Sequence, residues 1–398
     1  GGAQAAHHVL DSAGQVHCFS QFGAGHFAGA KTYLSRYMMI EPLGLQNEAA
    51  ALKKLTNQDP FQKLYIHERA PIITPYHRAL GQVREEARLQ KHGSCGMGIG
   101  ELGADLADEC EWRVLYAVEC LKRVSLSVHV LKQIRAQKLA KAKAIMPSFD
   151  HPLFELEPDV LSARYRDIFS QSQLISRIPS AQCVVFEGAQ GVLLDQWYGF
   201  HPHTTWSNCT FENAENLLAG IGAEIVKIGV VRSYMTRHGE GPLPSYSPSL
   251  SLRLAPCERH NSNDGYQGAM RYGFLDAVLL KYALQVLGGV DYLAVTCMDH
   301  FTDGAPVVTS YMCPGVPAVL RNLRVNKRRD LQYQERLTCL LQELSPWFTD
   351  YYGGLEDWIA NELALPIGIT SHGPCSEHKC FSAAIDESVC KIARELST

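Results

Sequence analysis

The chain lacks any run of eighteen apolar residues, so no membrane-spanning helix is expected. It opens without a signal-peptide pattern. It has no basic block and a net charge of −4, which argues against nucleic-acid and anionic-membrane partners. Its thirteen cysteines form no framework. Scattered thiols suit a reducing cytoplasm, most of them as small buried hydrophobes. Cys375, His378 and Cys380 cluster loosely, but no second ligand pair at metal spacing accompanies them, so a loop is expected. What is present is ordinary for a soluble globular protein: 46% hydrophobic and 20% charged residues, in a chain of 398.

No repeat and no composition break divides the chain. Residues 1–70 read as short strands and turns with a helix near Asn47–Leu55. From Pro75 to Lys143 the pattern is helical. Trp112, Leu115, Tyr116, Val118, Leu121 and Val124 recur at three- and four-residue steps, which predicts one amphipathic helix. Lys132–Lys143, basic and alanine-rich, reads as a solvated helix end, and Met146–Pro158 as a loop. Glu224–Val231 and Tyr292–Thr296 read as buried strands. Pro242–Gly268 reads as a long loop and Leu275–Leu287 as a helix.

The stretch Val184-Val185-Phe186-Glu187-Gly188-Ala189-Gln190-Gly191-Val192-Leu193-Leu194-Asp195 predicts a buried strand, a tight turn and a new element. In an open α/β sheet such a turn faces the ligand crevice. Gln190 both donates and accepts, so it can match the N1–H/C6=O edge of a 6-oxopurine. From these residues alone, a surface glutamine in an ordinary turn is the favoured reading.

Phe-Glu-Gly-Ala-Gln-Gly-x-Leu-Leu-Asp resembles the signature of adenylosuccinate synthetase. Further segments resemble that family in the same order: Gly1–Val9, Tyr76–Leu80, Gly96–Gly100, Thr204–Asn208, Met235–Pro242, Tyr272–Asp276, Thr296–Asp299 and Ser371–Pro374. The resemblance implies a P-loop-NTPase-related α/β fold: a mixed, largely parallel central sheet, helices on both faces, and a helical insertion at 75–145 within a single domain of 1–398. It implies a cytoplasmic homodimer that uses GTP and Mg²⁺ to join a purine nucleotide, IMP, to an amine substrate, aspartate.

Carried over residue by residue, the resemblance implies catalytic roles for His7 and Gln190. Gln4, Thr205 and Arg271 would bind substrate. Asp299, Ser371 and Gly373 would bind GTP, with Asp299 accepting from guanine N1–H and the 2-amino group. The Ala6 carbonyl would reach Mg²⁺. Several positions depart from the family. Cys297 stands for a lysine in the guanine-reading segment, Cys95 for a phosphate-binding threonine and Glu109 for an arginine lent by the partner subunit. Trp206 replaces a small residue. In Asp264–Arg271, Gly268 and Met270 stand where the family has arginines.

The sequence begins at Gly1, inside a motif, and the family's strand and phosphate loop are expected ahead of it. The polypeptide as given is therefore expected to be inactive, and its parent to be a GTP-dependent C–N ligase. Two alternatives stand beside that expectation: a diverged paralogue joining another amine or lactam acceptor, and a non-catalytic nucleotide-binding protein.

Overall fold

Several helices begin where a side chain of the preceding residue caps them. A computed structural model describes every residue except 90–91, 109–113, 258–264, 302–303, 316–317, 352, 384 and 386–398. The described chain forms two units, Gly1–Gln190 with Thr205–Ser207, and Gly191–Thr204 with Asn208–Thr398.

In the first unit, β1 (His7–Leu10) and β2 (Val16–Phe19) form an antiparallel hairpin, and β3 (Thr32–Leu34) follows. α1 (Pro42–Thr56) starts where the Glu41 carboxylate accepts from the Leu43 and Gly44 amides. β4 (Leu64–His67) precedes α2 (Pro75–Ala87), α3 (Ile99–Ala107), α4 (Ala117–Lys122), α5 (Val124–Ile145) and α6 (Pro158–Ser170). β5 (Gln173–Ile175) pairs in parallel with β4, and β4 with β3. Phe19, Leu45, Ile66, Tyr76, Leu131 and Tyr165 share one core.

The single helix expected from Leu115 to Val124 is broken. Leu115 accepts from Ile72, and Tyr116 caps α4 with its amide bonded to the Glu119 carboxylate. The backbone pairing outweighs the helical spacing. Trp112 lies outside the described residues. Lys132–Lys143 is helical, but Lys138 is fully buried rather than solvated. Its ammonium donates to Asp105 at 2.7 Å. His77 completes this buried cluster. Its Nδ1 accepts from the Thr74 amide, so the ring proton sits on Nε2, which donates to Asp105 at 3.1 Å. Burial lowers the His77 pKa, and the hydrogen bond to Asp105 opposes it.

The second unit opens with α7 (Glu212–Leu218), β6 (Ile228–Arg232), β7 (Met235–His238) and α8 (Pro248–Leu254). Next come β8 (Met270–Gly273), α9 (Ala277–Leu287), β9 (Tyr292–Thr296), β10 (Val307–Met312) and β11 (Val319–Leu320). α10 (Leu331–Glu343), β12 (Ser345–Thr349), α11 (Leu355–Leu363), β13 (Ile367–Ser371) and β14 (Lys379–Phe381) complete it. The main sheet has the order β14-β13-β9-β6. Its last three strands are parallel and β14 runs antiparallel. The fold is therefore mixed α/β with parallel sheets, as the sequence implied.

Two strand expectations are corrected. Val184–Phe186 is exposed and pairs with no strand among the described residues. β-branched residues form a strand only where a neighbour supplies cross-strand partners. Of Glu224–Val231 only the residues from Ile228 form a strand, and Val230 on it is 73% exposed, so the expected buried strand is short and its face partly uncovered. The expected loop at Pro242–Gly268 contains α8.

Candidate functional site

His7 opens β1, opposite Phe19. Its Nδ1 lies 3.1 Å from a Glu187 oxygen and its Nε2 3.1 Å from the Gly188 carbonyl oxygen. A carboxylate and a carbonyl only accept, so both ring nitrogens must donate and the ring is an imidazolium. The Glu187 hydrogen bond raises the His7 pKa above 6.5, and burial only partly opposes it. Glu187 is itself held by the Ala24 amide, 2.9 and 3.1 Å from its two oxygens. Two residues beyond Gly188, Gln190 turns left-handed at φ 60°. This conformation is uncommon for a residue with a Cβ.

Gln4 places both ends of its amide out of solvent, with no hydrogen-bond partner among the described residues. Such a group costs roughly 1–3 kcal/mol until something satisfies it. Ala6 is exposed, and Thr205 is half-buried. Beside Thr205, Trp206 lies on α3. A Cβ at Gly103 would come 2.7 Å from the Trp206 Cβ, so only glycine fits beneath it. Burial raises the Cys95 thiol pKa. Glu109 and Asp264 lie outside the described residues.

In the second unit, Asp299 lies in the short turn Met298–His300 after β9, entered through a left-handed Cys297 at φ 60°. Ser371 ends β13, which pairs in parallel with β9 through Thr370 and Val295. The two turns therefore leave the same end of the sheet. The Ser371 hydroxyl donates to the Gly373 carbonyl at 3.1 Å. A Cβ at Gly373 would come 2.4 Å from the His378 ring, so the close approach requires glycine. His378 accepts from the Cys375 amide at 3.3 Å.

Arg271 stands directly opposite Arg237 across the β7–β8 pair. Arg271 Nη2 donates to the Gly241 carbonyl at 2.7 Å, and its buried Nε has no partner among the described residues. Arg237 donates to the carbonyls of Glu240 and His203. Burial, then the Arg271 charge, pushes its pKa down to about 10.

The sequence gives no separate signal for Glu187, Arg237 or Lys379. Glu187 lay inside the resembling motif, and only its bond to His7 distinguishes it. Arg237 lay within Met235–Pro242. Lys379 carried no sequence signal.

The profile of the family described as Adenylosuccinate synthetase matches residues 1–358. The adenylosuccinate synthetase of Desulforudis audaxviator is 30% identical over 374 residues, 85% of this chain and 81% of that one. That of Chlorobium limicola is 29% identical over 405 residues, 96% and 90% of the two chains. The fully ligated adenylosuccinate synthetase of Plasmodium falciparum shares the fold with a TM-score of 0.73 at 16% identity, covering 96% of this chain and 92% of that one. The succinoaminodeoxyadenylate synthetase of cyanophage S-2L, bound to dGMP and to dATP as an energy donor, gives 0.51 at 16% identity, covering 99% and 89%. With the collinear motifs, these matches establish that the chain belongs to the adenylosuccinate synthetase family, GTP-dependent ligases of purine biosynthesis.

Proposed function

We propose that this protein forms adenylosuccinate from IMP and aspartate with GTP. The reading rests most on the His7–Glu187–Gly188 arrangement. In the first step IMP loses its N1 proton to solvent as the γ-phosphoryl of GTP moves to O6, leaving GDP. In the second, the aspartate amine displaces phosphate from C6. Negative charge develops at O6, and an imidazolium held by Glu187 can donate to it. His7 would release the Gly188 carbonyl to do so. Gln190 would hold the N1/O6 edge of the base, and the partnerless Gln4 amide would turn to the nucleotide. Thr205 would meet its phosphate, and Arg271 a carboxylate of the amine donor. Asp299, Ser371 and Gly373 would hold the guanine.

Mg²⁺, a cytoplasmic location and a homodimer belong to the same reading. Among the described residues no three His, Cys, Asp or Glu side chains converge on a metal position. The Ala6 carbonyl is one donor. These residues do not by themselves build a magnesium site. No described helix is long and apolar enough to cross a membrane.

A diverged amine donor is the second reading. Gly268 and Met270 carry no cation, and Arg271 is already engaged with Gly241. The test is phosphate release and adenylosuccinate formation by the purified protein with GTP, Mg²⁺, IMP and aspartate, repeated with His7→Asn. IMP-dependent turnover lost in the variant supports the assignment. Turnover only with another amine supports the second reading. Nucleotide binding without turnover, with the full-length parent protein in the assay, refutes both.

A further inference from the structure

β14 brings a lysine back to the turns that follow β9 and β13. Lys379 pairs in register with Ser371. Its ammonium donates to the Gly373 carbonyl at 2.8 Å and to the Cys375 carbonyl at 2.9 Å, bridging the turn Gly373–Cys375 from inside. An ammonium has three N–H donors. The third has no acceptor among the described residues. Burial lowers the Lys379 pKa, and Cys375, Cys297 and Asp299 beside it act in the opposite direction. Lys379 thus stands, across Ser371 on β13, at the end of the sheet from which the Asp299 turn leaves β9, and Cys297 in that turn supplies no cation.

We propose that Lys379 reads the 6-oxo group of the purine base whose N1–H and 2-amino group are read by Asp299. The inference rests on the assignment of Asp299 as the base-reading carboxylate. The edge of guanine presents one acceptor and two donors in a row. A carboxylate takes the two donors. The acceptor, O6, requires a donor, and a charge-assisted one binds it most strongly. Adenine offers an amino group in place of O6, which an ammonium cannot accept. The cation comes from β14 rather than from the segment after β9, so its sequence position gives no hint of the role.

The experiment is calorimetric titration of the protein with GDP, IDP and 6-thio-GDP. The thio analogue keeps N1–H and the 2-amino group and weakens only the acceptor. Lys379→Met and Asp299→Asn are compared with the parent. Lys379→Met should weaken GDP about ten- to hundredfold and equalise GDP and 6-thio-GDP. The preference for GDP over IDP, which reads the 2-amino group, should survive in this variant and vanish in Asp299→Asn. A uniform loss for all three ligands, or none, overturns the role of Lys379 and leaves that of Asp299 standing. If Asp299→Asn leaves the GDP-over-IDP preference intact, the base-reading assignment itself fails. Should Lys379→Met not fold, Lys379→Gln, which keeps a neutral N–H donor, is read in the same way and should narrow the GDP-over-6-thio-GDP ratio.

Discussion

His7 and Glu187 are 180 residues apart in sequence and 3.1 Å apart in space. The carboxylate holds one ring nitrogen and the Gly188 carbonyl the other, so the histidine is positioned and charged by a single turn of chain.

The first prediction is that His7 titrates above 6.5 and that Glu187→Gln brings it down. A raised folded pKa adds stability that is complete below 6.5 and fades as pH climbs through the folded value. NMR of the ring C–H protons gives the midpoint directly. A midpoint at or below 6.5 in the parent would end the imidazolium argument.

The second concerns the buried cluster of the first unit. Burial alone would raise the Asp105 pKa. Hydrogen bonds from His77 and Lys138 overcome it and leave the carboxyl lowered. Asp105→Ala strands a buried ammonium and should cost roughly 3–5 kcal/mol in urea unfolding. Adding Lys138→Met should restore much of that loss. Full additivity of the two substitutions would contradict the pairing.

The third prediction is steric. Gly103→Ala drives a methyl into Trp206 and should destabilise by about 1–3 kcal/mol. With Trp206→Gly present, which removes the Cβ that the methyl would meet, the same methyl has room. A double-mutant cycle should therefore give a coupling of comparable size. Equal costs in both backgrounds would mean that Trp206 does not rest on α3.

The fourth uses Asp276, fully buried at the start of α9. Burial raises its pKa to about 7, even though Tyr311 and the Val278 and Leu279 amides all donate to it. Its contribution to stability is complete below 3.8 and is lost as pH rises towards 7. Asp276→Asn should flatten that part of the pH–stability curve. Parallel curves for parent and variant would rule the assignment out.

Much of the frame is legible along the chain. Tyr292–Thr296 is a strand as read, and the helix expected at Leu275–Leu287 begins two residues later because Asp276 is its cap. Local pattern fails where a distant partner decides. Lys138 looks like a solvent-facing lysine among alanines until Asp105, on another helix, meets it. Val184–Phe186 has the composition of a core strand, but exposure follows from neighbours that composition cannot name. The candidate site divides in the same way. His7, Gln190 and Asp299 stand within recognisable motifs. Glu187 and Lys379 matter through contacts made by folding.

Gln190 and Cys297 both adopt φ 60°, one in each unit, and neither is glycine. A glycine would hold either conformation more cheaply, by something like 1 kcal/mol. Selection for durability alone would therefore erase both side chains. Cys297→Gly and Gln190→Gly should raise the melting temperature, and Gln190→Gly should forfeit purine recognition. Where that trade holds, the left-handed turn records a side chain kept at the expense of the fold.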